Sequence, residues 1–321
     1  MKRMIFLFVA AMPFILLAIL SSAEPANAEC PAKELDPSAS CGRGRGPRST
    51  PTPTAPGSTA IPVPPSTQVK SLPARSADGT YYITDPGVYS GNATCGNIPA
   101  AAYCVHIWES GGVTLQDFTI TTAQGAGLQI DNNSIIRRGT IKAPNGAATG
   151  WHKANVTIDG VRFDSPVGGL GFLGGGCENT SPRPNRNITI RNSTFVNSTG
   201  SEMLYLKCAQ DVLIEGNNFA PASQWGVSTP DGVNIIIRAN YFNLWSEPNN
   251  WLAIELPRTF GVDVIANTVV GPAGDWFVYV NSGTNDLTIS DNCVGAGIGV
   301  MHELHQSGGV TSLVMARNGP C

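Results

Sequence analysis

Beyond residue 110, apolar and polar positions recur in an eight-residue pattern, apolar-x-apolar-x-x-Asn-x-apolar. Five clear copies occupy residues 212–219, 235–242, 262–269, 287–294 and 313–320. Four weaker ones, without the asparagine, occupy 113–120, 134–141, 156–163 and 188–195. Apolar residues two apart face the same side of a strand, so each copy predicts a strand with one buried face. Successive copies start 21, 22, 32, 24, 23, 27, 25 and 26 residues apart. A period in the twenties is one coil of a solenoid, too small to bury its apolar face unless it stacks on its neighbours. Nine coils about 4.8 Å apart would make a rod roughly 40 Å long.

Asn217, Asn240, Asn267, Asn292 and Asn318 share the sixth position. Stacked in a turn, each amide can donate to the next and to local backbone, as in asparagine ladders. Asparagine also tolerates the left-handed backbone of sharp turns. Alternation and turn residues alone would permit a β-sandwich or barrel. A sandwich gives no reason for one shared register, so the expectation is an all-β parallel β-helix of about nine coils with an asparagine ladder.

The pattern resembles the pectate-lyase-like superfamily of right-handed parallel β-helix repeat proteins, over about residues 80–321. Residues 79–84 and 86–89 look like that group's N-terminal cap, and 105–107 with 113–120 like its first coil. The superfamily includes lyases, hydrolases, epimerases and adhesins, so the resemblance implies a fold and not one activity. The Asn-Thr-Asp, Asp-Asp and Gly-His-Gly set of polygalacturonases is missing, as is the Asp-Pro-His-Asp of mannuronan epimerases. Arg183-Pro184-Asn185-Arg186 is similar to the basic stretch of pectate lyases, but its spacing differs.

Each coil holds another strand before the repeat, as in 128–131, 203–207, 253–256 and 277–281. If Leu204, Leu206, Ile254, Leu256, Val278 and Val280 point inward, then Tyr205, Lys207, Glu255, Tyr279 and Asn281 form an outward row. Asp131 and Lys153 join it on earlier coils, and Glu303 is expected one coil after Tyr279. The resemblance implies that such a face is a substrate groove. A lyase acting on an acidic, uronate-containing polysaccharide needs a base, an acid and a cation. Lys207 and Tyr205 would be base and acid, with Arg258 or Lys153 neutralising the carboxylate. A glycoside hydrolase needs two carboxyls, here Glu255 and Glu303. A third reading is a non-catalytic surface or matrix protein that binds glycan through the same face.

Trp225, Trp245, Trp251 and Trp276 lie near the ends of these strands, where rings can stack on sugars or pack loops. Gly168–Gly171 and Gly174–Gly176, in the longest coil, read as a flexible loop beside the groove, tied by Cys177. His302-Glu303-Leu304-His305 departs from the zincin pattern, with Gln306 where the second histidine belongs, and no metal or other cofactor is expected.

The N-terminus shows why the chain would meet polysaccharide. Met1-Lys2-Arg3, an apolar run to Leu20 and Ala26-Asn27-Ala28 read as a secretory signal peptide, cleaved after Ala28. The apolar run approaches spanning length, the alternative being a membrane anchor. No second such run follows, so no span is expected after cleavage. Residues 29–68 form a Cys-bearing segment and a Pro-rich linker, and 69–321 the β-helix domain. All eight cysteines follow residue 28, which favours disulfides in an exported chain. Connectivity is open in principle, and sequential pairing is the expectation: Cys30–Cys41, Cys95–Cys104, Cys177–Cys208 and Cys293–Cys321. Without residues 1–28 the formal charge is −4, and no basic patch suggests nucleic acid. A secreted monomer with a polysaccharide partner is expected.

Overall fold

The nine copies stack in the register that the sequence implies. The computed structural model describes residues 68–321, except 97, 109–110, 175–176, 178–181, 200, 221–224, 244–251, 274, 282 and 304–309. The predicted signal peptide, the Cys30–Cys41 pair and nearly all of the linker lie outside the described residues. Val113 pairs with Ser134, Ile135 with Thr157, and Val156 with Ile188. Val212, Ile235, Val262, Leu287 and Leu313 follow in turn. Every strand pairing is parallel, and the described residues contain no helix. They therefore include no helix long and apolar enough to cross a membrane.

The repeats build one sheet, and ten short strands build the other. The smaller sheet runs Tyr81–Ile83, Tyr103–Ile107, Ala126–Gln129, Ala148–Trp151, Leu170–Leu173, Leu204–Leu206, Trp225–Ser228, Leu252–Leu256, Trp276–Val280 and Gly299–Glu303. Leu204, Leu206, Ile254, Leu256, Val278 and Val280 all point inward and are fully buried. The expected cap is itself coiled. Tyr81–Ile83 pairs with 105–107, and Gly87–Cys95 with Val113–Thr122.

The asparagine ladder is continuous. Asn217 donates its backbone N–H and its side-chain amide to Asn240 Oδ1, at 2.9 and 3.0 Å, and donates again to Ile190 O. Asn240 does the same to Asn267, Asn267 to Asn292, and Asn292 to Asn318. Ser193 holds the sixth position one coil earlier, and its N–H donates to Asn217. The left-handed residue is not the asparagine. It is the fifth position, where Asp117, Arg138, Gly160, Asn192, Gly216, Ala239, Ala266, Asp291 and Arg317 all have φ between 50° and 65°. The backbone turns there, and the next residue's amide satisfies the groups the turn exposes. At the eighth position Phe163, Phe195, Phe219 and Phe242 stack face to face, 4.8 Å between successive centroids. That is the spacing of adjacent strands.

Cys95–Cys104, Cys177–Cys208 and Cys293–Cys321 are disulfide-bonded, as sequential pairing anticipates. The last two join neighbouring coils.

Candidate functional site

Register turns the smaller sheet's outward positions into a single file. Tyr82, His106, Gln129, Thr149, Gly171, Tyr205, Ser228, Glu255, Tyr279 and His302 are successive neighbours. Tyr205, Glu255 and Tyr279 stand in the row expected of them. Lys207 and Asn281 lie two residues beyond Tyr205 and Tyr279, just past the ends of their strands.

Glu303 does not continue this row. It pairs with inward Val280, while His302 follows Tyr279, and the Glu303 carboxylate accepts from Val310 N–H. Single-residue shifts reverse a strand's face, which removes Glu303 as the partner of Glu255.

The file's centre is Tyr205, Ser228 and Glu255. Ser228 is 1% exposed, and its hydroxyl donates to Glu255 Oε2 at 2.6 Å. Burial holds the Glu255 carboxyl above its ordinary value, and the nearby Glu202 charge raises it further; the Ser228 hydrogen bond opposes both. Burial likewise raises the Tyr205 phenol, reinforced by Glu202, Glu255 and Asp231 and opposed by Arg258. Three carboxyls therefore act on one phenol, Glu202 most strongly. Arg258 is held by Asp231 through two contacts of 2.7 and 2.9 Å.

Next to this centre lies a depression of about 420 Å³, lined by Thr149, Gly168, Gly171, Leu173, Glu202 and Tyr205 among others. Gly168 and Gly169 do precede the strand, but Gly171 lies within it: Leu170–Leu173 is a strand of the sheet, and at Gly171 the lack of a side chain leaves the floor open. A Cβ at Gly171 would meet only Leu173 Cδ2, at 3.8 Å. The hollow exists because the file has no side chain there.

Other expected residues lie apart. Asp131 and Lys153 pair with each other at 2.6 Å, both largely buried, at the ends of the strands two and three places before Tyr205. Trp225 and Trp276 share one column with Leu252 between them. The Trp276 indole lies over Gly299, and its centroid is 4.8 Å from the His302 ring, which also approaches Tyr279 at 5.6 Å. Trp245, Trp251 and His305 lie outside the described residues.

Glu202 and Ser228 are absent from the sequence expectation. Glu202 precedes its strand, where alternation does not apply. Ser228 sits in a short strand, Trp225–Ser228, with little apolar alternation. The signal that could have found Ser228 was the spacing itself: aligning 204–205, 227–228 and 254–255 puts it between Tyr205 and Glu255. Among the described residues one three-ligand cluster, Cys177, Cys208 and Asp231, gathers within 4.8 Å. Its two sulfurs are bonded to each other, so it offers no thiolate.

No protein-family model matches the chain, and no curated protein does. Solved structures do. A glycoside hydrolase aligns with a TM-score of 0.53 at 12% identity, over 69% of this chain and 51% of its own. The enzymatically active domain of tailspike protein 2 of bacteriophage CBA120 gives 0.51 at 13% identity, over 71% and 38%. Full-length tailspike protein 2 from an Escherichia coli O157:H7 bacteriophage gives 0.54 at 12% identity, over 77% and 38%. The chain thus spans about half of the first and well under half of the other two. At such identities the likeness is one of architecture: the chain is a parallel β-helix, similar in fold to a glycoside hydrolase and to phage tailspikes.

Proposed function

We propose that this protein is exported and cleaves a polysaccharide by hydrolysis, with Glu255 as the general acid. The carrying observation is the carboxyl pair. Burial and the Glu202 charge raise the Glu255 pKa against the Ser228 hydrogen bond, and both carboxyls act on Tyr205 at the edge of a sugar-sized depression. Hydrolysis of a glycoside needs two such groups, one kept protonated by its surroundings. The Glu255 proton passes to the glycosidic oxygen as the bond to the anomeric carbon breaks. Water adds to that carbon, and its proton goes to Glu202. Tyr205, protonated throughout, donates a hydrogen bond to the sugar in the depression. Trp276, whose ring is 4.8 Å from that of the outward His302, offers a further aromatic surface along the file. Two neighbours in fold bear the words hydrolase or enzymatically active in their names, which agrees with a catalytic face.

The lyase reading draws less support. Its cation, Arg258, is already engaged by Asp231, and Lys153 by Asp131. Lys207 lies two residues beyond Tyr205, in the turn after its strand.

The test is product chemistry. The full chain is incubated with neutral and acidic polysaccharides, and both reducing ends and unsaturated uronate absorbance are followed. Reducing ends without new absorbance are expected, and Glu255→Gln should lose at least about 100-fold. Gly171→Gln should block the hollow with the fold intact, since a Cβ there meets no close neighbour. Unsaturated product would replace this reading with the lyase. Binding without cleavage of any polysaccharide would leave a glycan-binding protein.

A further inference from the structure

The opposite end of the smaller sheet carries another group of rings. Trp108 is 63% exposed and Trp151 is 54% exposed, unusual for indoles on a regular sheet. Trp108, Asp131 and Trp151 each lie two residues beyond the file of His106, Gln129 and Thr149, Trp108 and Asp131 just past the ends of their strands and Trp151 at the end of its own. The two indoles are therefore two strand spacings apart, about 9.6 Å along the rod. Asp131, on the coil between them, is ion-paired with Lys153 at 2.6 Å. His106 lies 4.7 Å from Trp108 and 5.6 Å from Tyr82, bracing the Trp108 side of the group. Trp151 touches His152 at 5.4 Å and pairs with Leu173, which lines the depression beside Tyr205.

We propose that Trp108 and Trp151 form a binding platform for a neutral glycan, separate from the Tyr205–Glu255 centre and leading towards it. Flat apolar faces ringed by polar atoms suit sugar rings, whose C–H faces are apolar and whose edges carry hydroxyls. The interval between the indoles suits two sugar units of a linear chain. Asp131 and Lys153 cancel each other's charge and leave hydrogen-bonding atoms between the rings, which favours a neutral glycan over an acidic one. Continuity through Leu173 gives the chain a path from platform to depression. The ligand class rests on the polysaccharide reading above; the platform itself requires no catalysis.

Calorimetric titration of the full chain with cellohexaose, maltohexaose and xylohexaose, and with hexagalacturonate for comparison, tests this. At least one neutral hexasaccharide should bind. Trp108→Ala and Trp151→Ala should each weaken it about tenfold, and the double variant more. Trp108→Phe and Trp151→Phe, which keep a ring, should lose less. Both indoles are exposed, so the thermal transitions should match the parent. The platform is overturned if no neutral hexasaccharide binds, if only hexagalacturonate binds, or if the double alanine variant binds as the parent does. Ring-dependent binding without cleavage would sustain the platform and defeat the catalytic reading. Cleavage with ring-independent binding would do the reverse.

Discussion

Replacing Asn267 with alanine isolates the ladder's contribution to stability. Asn267 is fully buried, and its side chain makes four hydrogen bonds. Its oxygen accepts from the Asn240 backbone N–H and side-chain amide, both at 3.0 Å. Its amide donates to Asn292 Oδ1 at 3.0 Å and to Ile237 O at 2.9 Å. Alanine strands two donors on Asn240 in a site that is 1% exposed. Each stranded buried donor costs about 1–3 kcal/mol, so the variant should lose about 2–6 kcal/mol. Asn318→Ala provides the contrast. Asn318 makes the same kind of contacts but is only partly buried, so water can replace them and the loss should be about 1 kcal/mol. Urea unfolding followed by far-UV circular dichroism measures both. A solenoid can unfold in segments, so the transition at the altered coil is the one compared. An Asn267→Ala loss below about 0.5 kcal/mol, or equal losses at both positions, would refute the reasoning.

Three further outcomes follow from the same structure. The pKa of Glu255 is raised on folding, so the folded state holds its proton to higher pH than the unfolded chain. Stability should therefore fall as pH rises from the ordinary glutamate value of 4.5 through the folded one. Glu255→Gln should flatten that slope in pH-dependent melting, and Glu202→Gln, which removes the proposed base, should lower turnover at least about 100-fold. Ala239, with φ of 54°, adopts a conformation that costs a non-glycine residue about 1–2 kcal/mol, of which glycine's extra chain entropy takes back about 0.5–1. Ala239→Gly should thus stabilise by about 0.5–1 kcal/mol in urea unfolding; a loss would contradict the strain. Cys177→Ser with Cys208→Ser removes a link across 31 residues, worth about 3–4 kcal/mol by loop closure, and should lower the melting temperature.

What could be read in the sequence follows from how each feature is encoded. Asn217, Asn240, Asn267, Asn292 and Asn318 are recognisable because a side-chain amide can accept two bonds from the coil before while donating both to the next asparagine and to the backbone, so the residue type repeats with the coil. The fifth position repeats just as strictly in backbone conformation, yet aspartate, arginine, glycine, asparagine and alanine all occupy it. Stacking imposes the turn there, and composition keeps no trace of it. The outward row was half visible. Tyr205, Glu255 and Tyr279 follow from alternation within a strand. Alternation does not carry register across connections of unequal length, so the sequence points to Glu303 for the row that His302 occupies. Ser228, Glu202 and the Trp108–Trp151 pair needed neighbouring coils aligned before their proximity appeared. Gly171 is the opposite case, since it acts by having no side chain.

The most direct measurement is a crystal structure of the Glu255→Gln protein with an oligosaccharide of a polymer the parent cleaves. A sugar should occupy the depression over Gly171 beside Tyr205, with a glycosidic oxygen within about 2.6–3.2 Å of the residue 255 side chain. An oligosaccharide bound on the larger sheet, or lying on this face with residue 255 far from every glycosidic oxygen, would contradict the account.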